Sequence, residues 1–286
     1  VKDLENRIFK SIVCFLTVLS LLILSFIILF ILRESIVFFK EVSIIKFIFG
    51  SKWNPLNFPN KLSIYPTILG TIYVSLIGIA IALPIGVGNA IVLSNYTNNK
   101  FKKIVRVIVD ILAGIPSVIH GFIGLLVLVK LFETKFLLAT GESVLAGGII
   151  LSIMMLPFII STCEESMEKI YNENSTYSNA LGVSKSYMIR KIVLPNSKRS
   201  ILASGVLALG RGMGETMAVM MVIGNAPIMP KLLGKCQTIP SLIALEMGMA
   251  EVGSLHYHAL YASGFVLMMI LLIINVILYI IKRKII

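Results

Sequence analysis

The chain has 286 residues, 57% of them hydrophobic and 14% charged, with a mean hydropathy of +0.94. Soluble chains carry about 25% charged residues, so this composition excludes a soluble globular domain and fits an all-α integral membrane protein of about six spans. The formal net charge of +12 sits at span ends and in loops rather than in aromatic-interleaved basic runs, which argues against nucleic acid and for lysine-rich loops against an anionic membrane lipid leaflet.

Lys2, Arg7 and Lys10 precede an apolar run over residues 11–32, about 33 Å of helix and enough to cross the hydrocarbon core. The run ends in Leu32-Arg33-Glu34 rather than at a small-residue cleavage site, so it reads as a retained span and not a signal peptide. Residues 33–64, with Trp53, Pro55 and Pro59, read as a long loop carrying a short interfacial helix. The second span is expected over 65–93, interrupted by Pro84, Gly86 and Gly88, with a polar loop over 94–103. The third is expected over 104–132 and contains Ala113-Gly-Ile-Pro-Ser-Val-Ile-His-Gly121. Proline and glycine in mid-span predict a kink there, with Ser117 a candidate cavity-lining residue and His120 packed against a neighbour. The fourth span is expected over 138–163. The charged segment 164–199 after it reads as one or two amphipathic helices. A fifth span is expected over 200–223, then a proline-rich loop to His258, and a sixth over 259–281 capped by Lys282-Arg283-Lys284.

The segment 164–199 holds six Lys and Arg against two in 226–258, which places both termini in the cytoplasm by the positive-inside bias. The cysteines Cys14, Cys163 and Cys236 share no metal-ligand spacing, and the His256-Tyr-His258 pair has no cysteine or third histidine near it, so no metal and no cofactor are expected. The sequons at Asn95 and Asn174 fall in loops expected to be cytoplasmic and are discounted.

The fifth span carries the chemistry. Gly205 to Gly224 is an apolar run with Arg211 and Glu215 near its middle, surrounded by Gly210, Gly212 and Gly214. An ionisable residue at a helix centre costs about 2.5–3.5 kcal/mol and is kept where it faces a bundle interior or a watery path. Read as one helix, the four-residue spacing puts Arg211 and Glu215 on a single face. Gly210, Gly214 and Ala218 then form a small-residue packing stripe beside them. An arginine fork suits phosphate oxygens and keeps its charge when poorly hydrated. Glu215 either holds that fork or accepts a proton, and Thr216 adds a hydroxyl. The alternative is an Arg–Glu pair that only neutralises itself. Ahead of this span, Gly182 permits a sharp turn before a short amphipathic helix that stops at Leu194-Pro195. Such an elbow projects a knob that a soluble partner can grip.

The pattern Ala180-Leu181-Gly182 followed by Ile192-Val-Leu194-Pro195 resembles the loop of ABC-importer permeases that docks on the ATPase, although Thr176, Tyr177 and Ser178 stand where its Glu-Ala-Ala is usual. Gly210-Arg-Gly-Met-Gly-Glu-Thr-Met-Ala218 and Leu112-Ala-Gly-Ile-Pro-Ser-Val-Ile-His-Gly121 resemble signatures of PstC-type permeases of phosphate importers. Ala82-Leu-Pro-Ile-Gly86 and Gln237-Thr-Ile-Pro-Ser-Leu-Ile-Ala244 extend the resemblance over residues 65–280.

The resemblance implies a MetI-like core over 65–286 with an extra N-terminal span and outer loop over 1–64. It implies a transport subunit, not an enzyme, in a bacterial or archaeal cell membrane. A PstA-like second permease, an ATP-binding subunit dimer and an extracytoplasmic phosphate-binding protein would be its partners, and inorganic phosphate its cargo. The sequence has no Walker A glycine loop, so ATP hydrolysis is expected on another chain. Molybdate or sulfate import remains open on arginine chemistry alone, and an ion-coupled secondary anion transporter would explain the intramembrane charges but not the elbow.

Overall fold

A computed structural model describes residues 2–55, 61–136 and 140–284. Its frame is set by long apolar helices. α1 runs over Lys2–Glu41 and α7 over Val144–Ala180. α3 spans Tyr65–Ile91 and relaxes into a π-helical turn at Val92–Tyr96, while α13 spans Leu255–Lys284. The short elements are α2 (Ile44–Phe49), the two-residue strands β1 (Trp53–Asn54) and β2 (Lys61–Leu62), α4 (Asn99–Gly114), α5 (Ser117–Ile123) and α6 (Lys130–Phe136). α8 (Lys185–Met188), α9 (Leu194–Asn196), α10 (Lys198–Met213), α11 (Met217–Ile223) and α12 (Ile239–Glu246) complete the order. β1 and β2 pair antiparallel, Trp53 opposite Leu62.

Five helical stretches are long and apolar enough to cross a membrane, and the bent pair α10 plus α11 makes a sixth. The span count therefore agrees with the sequence, but four boundaries move. α1 does not stop near residue 32; it continues through the polar Arg33-Glu34 pair to Glu41, because Ser35 donates to the Ile31 carbonyl and Glu34 finds a partner on α13. The expected third span is two elements. α4 ends at Gly114, the chain is extended at Ile115 and Pro116, and a fresh helix starts at Ser117. Proline disfavours helical backbone at the residue before it, so the break is complete rather than a kink. The crossing is the stretch Ser117–Lys135, joined through a π-helical segment at Gly124–Val129.

α4 is instead an amphipathic helix. Ile104, Val107, Ile108 and Ile111 are exposed on one side. On the other, Lys102 lies 3.3 Å from Glu164 and 2.7 Å from Glu168, with Arg106 3.3 Å from Glu164. Those two acids sit on α7, so the ion pairs fasten α4 to the C-terminal half of that helix.

The third correction concerns the charged segment. α7 is one unbroken helix of 37 residues, about 55 Å long and thus well beyond a hydrocarbon core of about 30 Å. The amphipathic helix expected after residue 163 is its continuation, a stalk outside the bilayer. Fourth, the outer loop folds back as α12, whose Ile239, Pro240, Ser241 and Leu242 are buried. Thr238 caps it reciprocally with Ser241, and its first amide donates to Thr71 Oγ1 of α3 at 2.9 Å.

Two apolar cores result. The inner one joins α3, α7 and α10 through Val74, Leu151, Met155, Ile159 and Ala208 and runs on to Met188 and Val193 beneath the elbow. The outer one joins Phe38, Phe47, Trp53 and Ile64 to Ile239, Leu242 and Leu260. Polar clasps back up the outer core. Trp53 Nε1 donates to both Glu246 oxygens at 2.9 Å, and His256 Nε2 lies 2.7 Å from Glu246 Oε2. His258 Nδ1 lies 2.9 Å from Glu34 Oε2, too poorly aligned for a hydrogen bond. The two histidines therefore serve separate carboxylates, and among the described residues no group of three His, Cys, Asp or Glu gathers as a metal site.

Candidate functional site: two broken helices in the bilayer

The glycine-rich fifth span does not pass straight through. α10 closes at Met213, where Gly214 N–H donates to the Arg211 carbonyl at 3.2 Å and Glu215 N–H to that of Gly212 at 3.1 Å. These tightened bonds end the helix; α11 restarts at Met217, bent 66° from α10. The carboxylate Oε1 of Glu215 accepts from the Ala218 N–H at 3.3 Å. An acceptor here satisfies an amide that the restarted helix leaves without an intrahelical partner and complements the positive end of its dipole.

This overturns the single-face reading of Arg211 and Glu215, because the break falls between them. Among the described residues no ion pair joins them. Arg211 ends α10, exposed, with its guanidinium carbon 4.3 Å from the centroid of the Phe158 ring on α7. An aromatic face holds a cation without occupying its N–H donors in the plane. Arg211 is thus oriented yet keeps its hydrogen-bonding fork free.

The packing stripe is corrected as well. A Cβ at Gly210 would meet nothing within 4 Å, and one at Gly214 would meet only its own chain at Arg211 and Gly210. The close approach belongs to Gly212, whose added Cβ would collide with Met155 of α7, and to Gly121 of α5, whose Cβ would lie 2.9 Å from Ala218 Cα. Ala218 is fully buried, against Gly121 of α5.

That last contact sets a register. Gly121 meets Ala218 and Gly124 meets Val222, so α5 and α11 run side by side in the same direction. α5 starts four residues before the Gly121–Ala218 contact, at Ser117, and α11 one residue before it, at Met217. Both helices therefore begin close to their mutual contact, with Glu215 and Thr216 in the break before α11 and Arg211 at the end of α10. Thr216 Oγ1 bonds the Gly214 carbonyl at 3.3 Å. Ser117, Glu215 and Thr216 are half-buried. Irregular backbone within a bilayer is tolerated where it is buried in protein or lines a watery cavity, and half-helix N-termini in transporters face anionic groups. The sequence offered Pro116 and Gly214 as signals for these breaks. It held no signal for Phe158, which comes from a different span.

The elbow forms at the end of the α7 stalk. Gly182 has φ +68°, and its N–H donates to the Asn179 carbonyl while Val183 N–H donates to that of Ser178. Only a residue without Cβ adopts this left-handed cap freely. Ala180 is exposed and Leu181 is 79% exposed at the tip, beside Tyr177 at 72%. Ser184 then caps α8, and Lys185 sits over the rings of Tyr96 and Tyr171. Behind the tip, Met188, Ile189 and Val193 are buried, Ile192 and Leu194 are half-buried and Pro195 is exposed. The apolar tip thus stands on a base rigidly packed against the core.

Comparison with known proteins agrees with this anatomy. The family described as the binding-protein-dependent transport system inner membrane component matches residues 80–286. The "Probable ABC transporter permease protein YqgH" of Bacillus subtilis is 36% identical over 85% of this chain and 79% of its own. The "Phosphate transport system permease protein PstC" of Xylella fastidiosa is 35% identical over 79% of this chain and 75% of its own. The "Probable phosphate transport system permease protein PstC" of Methanocaldococcus jannaschii is 35% identical over 76% and 74%. In fold, a bacterial alginate ABC transporter, solved with an alginate-bound periplasmic protein, superposes with a TM-score of 0.69 at 17% identity over 99% of this chain and 97% of its own. An inward-facing MetNI methionine transporter gives 0.57 at 18% identity over 78% and 94%. With helices that restart inside the bilayer and an elbow outside it, and with a match over residues 80–286, this chain belongs to the binding-protein-dependent inner membrane permeases of ABC transporters.

Proposed function

We propose that this chain is a translocation subunit of an ATP-driven importer of inorganic phosphate. The observation that carries the reading is Arg211, held by Phe158 with its fork unspent, beside the break at Gly214–Thr216 from which α11 restarts. Arginine binds tetrahedral oxyanions through paired N–H donors, and a restarted helix adds positive dipole where an anion would pass. The similarity to proteins named as phosphate permeases supports phosphate as the anion.

In this reading the phosphate meets Arg211 in a path completed by a second, PstA-like permease, which would cover the exposed side of α10 bearing Leu207 and Arg211. The second oxygen of Glu215 accepts the acidic proton of the phosphate while the first keeps its bond to Ala218. The Ser117 hydroxyl donates to a remaining oxygen, and the Thr216 hydroxyl does so on leaving the Gly214 carbonyl. An extracytoplasmic binding protein delivers the phosphate. ATP is hydrolysed on a separate dimer of ATP-binding subunits that grips the tip at Ala180, Leu181 and Gly182. Because α7 is continuous from Val144 to this tip, and the following segment leads through Ile192, Leu194 and Pro195 into α10, movement of the tip reaches Arg211 through two rigid elements. Both termini and the elbow lie on the cytoplasmic side. The N-terminal part over 1–64 is an addition to the permease core over 65–286.

The test is uptake into proteoliposomes holding both permeases and the ATPase, supplied with the binding protein and phosphate, sulfate or molybdate in turn. Phosphate accumulation that requires ATP supports the reading. Transport of sulfate or molybdate in its place reassigns the cargo, and uptake without ATP overturns the importer.

A further inference from the structure

Arg211 occupies one side of α10; the opposite side, from Ile201 to Met213, is apolar. Ile201, Leu202, Gly205, Val206, Leu209 and Met213 line a groove of about 390 Å³, walled by Ile79 and Leu83 of α3 and by Ile274 and Ile277 of α13. At 100° per residue these six positions fall in one stripe, and Lys198 lies on its centre line, one turn before Ile201. Arg199 borders the same stripe. Both cations are exposed, and among the described residues neither forms an ion pair. On the facing helix, α13 ends in Lys282, Arg283 and Lys284 shortly beyond Ile277. Positive charge at Lys198 and Arg199 stands at the Ile201 end of the groove.

The dimensions match a lipid. From Ile201 to Met213 the helix rises about 18 Å, and one leaflet contributes about 15 Å of a hydrocarbon core of about 30 Å. The groove thus runs the depth of one leaflet, and its charged end falls where headgroups lie. Gly205 is the narrowest residue of the stripe and opens the floor toward Leu83.

We infer that this groove is a binding site for one anionic phospholipid, with an acyl chain along the stripe of α10 and its phosphate at Lys198 and Arg199. Its charge separates it from ordinary annular contact, since a neutral lipid gains nothing from the basic end. Its position gives it a role. α10 is the helix that ends in Arg211, and a chain wedged between α3, α10 and α13 fixes the distance over which α10 can tilt. The inference does not depend on which solute is transported.

The test uses the assembled permease–ATPase complex, purified in mild detergent, with retained phospholipid identified by mass spectrometry. The wild type retains phosphatidylglycerol. A Lys198→Gln/Arg199→Gln variant loses about 2 kcal/mol of attraction at about 1 kcal/mol per charge, and its retention falls at least tenfold. Gly205→Leu, which fills the groove and leaves both charges, also loses the lipid; Gly205→Ala, whose Cβ meets only Leu83 at 3.4 Å, keeps it. In nanodiscs, ATPase activity stimulated by the loaded binding protein rises when phosphatidylglycerol is added to phosphatidylcholine, and the charge variant loses that rise. Equal retention of phosphatidylglycerol by wild type and both lipid-losing variants overturns the site. So does a disulfide from a Leu202→Cys variant to the second permease, which would make the groove a protein interface.

Discussion

Arg211 at the end of α10 rests on the ring of Phe158 from α7, 4.3 Å from its centroid, and not on the carboxylate four residues along its own chain. The distinction matters for affinity. A carboxylate partner would neutralise the fork, whereas a ring steers it and leaves its donors for a ligand. A cation over an aromatic face contributes about 0.5–2 kcal/mol, so Phe158→Leu should weaken phosphate capture by about two- to thirtyfold, seen as a raised KM for uptake. Arg211→Lys keeps the charge but loses paired donation, and uptake should fall at least about tenfold, on the scale of one charge-assisted hydrogen bond of about 1.5–3 kcal/mol. Normal KM in both variants would remove Arg211 from the path.

Glu215 has two separable duties. Its Oε1 accepts the Ala218 amide at 3.3 Å, and its Oε2 has no partner among the described residues. Glu215→Gln keeps an acceptor for the amide but loses the charge facing the helix dipole, and should lower the thermal midpoint of the purified complex less than Glu215→Ala does. It removes the group that takes a proton and should lower the transport rate. Glu215→Ala should lower both, with a stability loss of about 1 kcal/mol, as for other helix caps. Should Gln and Ala variants transport alike at the wild-type rate, the carboxylate would be a cap and nothing more.

At the elbow, Leu181→Asp should leave the permease folded, since that side chain is 79% exposed and touches little. It should uncouple the motor. The binding protein's stimulation of ATPase activity should vanish while the ATPase retains its basal rate. Gly182→Val imposes left-handed backbone on a β-branched residue at φ +68°, at a cost of about 1–2 kcal/mol, and should uncouple while also lowering stability. Full stimulation in Leu181→Asp would move the docking point elsewhere.

How far the sequence reached depends on what each feature needs. Span existence was legible from apolar length alone, and the turn of the elbow from Gly182, whereas the helix expected to stop at Leu194-Pro195 runs through Pro195 to Asn196. What misled was the assumption that an apolar run is one helix. Residues 104–132 and 200–223 each pass the length test, yet Pro116 and the Gly214–Thr216 segment break both, and the two breaks support one another across the Gly121–Ala218 contact. That support is tertiary and leaves no periodic trace. The helical spacing of Arg211 and Glu215 was therefore sound arithmetic on a helix that does not exist. In the opposite sense, the stalk of α7 looked like a separate loop because its composition changes at residue 164, although nothing there ends a helix. His256 and His258 looked like one motif but pair with carboxylates on different elements.

The glycines around the break should respond to alanine in a way the sequence pattern cannot order. Gly210→Ala adds a methyl to open space inside α10 and should be neutral or stabilising by about 0.5–1 kcal/mol, the usual advantage of alanine in a helix. Gly121→Ala drives its methyl to 2.9 Å from the backbone of Ala218, and overpacking of that kind costs about 1–3 kcal/mol. It should also push α11 from α5 and so disturb the break before α11. Thermal melts of the purified complex together with uptake would rank the two, and equal behaviour would mean that α5 and α11 do not touch there.

Cys236 gives a check on the outer loop that is independent of transport. It is fully buried, and burial pushes its thiol up to about 12. An unburied thiol ionises near about 8.5, so between these values the unfolded chain releases a proton that the folded chain retains. Its contribution to stability is therefore complete below about 8.5 and is lost as pH rises toward about 12. Over the accessible part of that window, Cys236 should resist alkylation in the intact complex at alkaline pH and react once the complex is denatured, as read by peptide mass spectrometry. Rapid alkylation in the native complex would mean that the segment between α11 and α12 opens, and that α12 does not sit against Thr71 as a fixed plug.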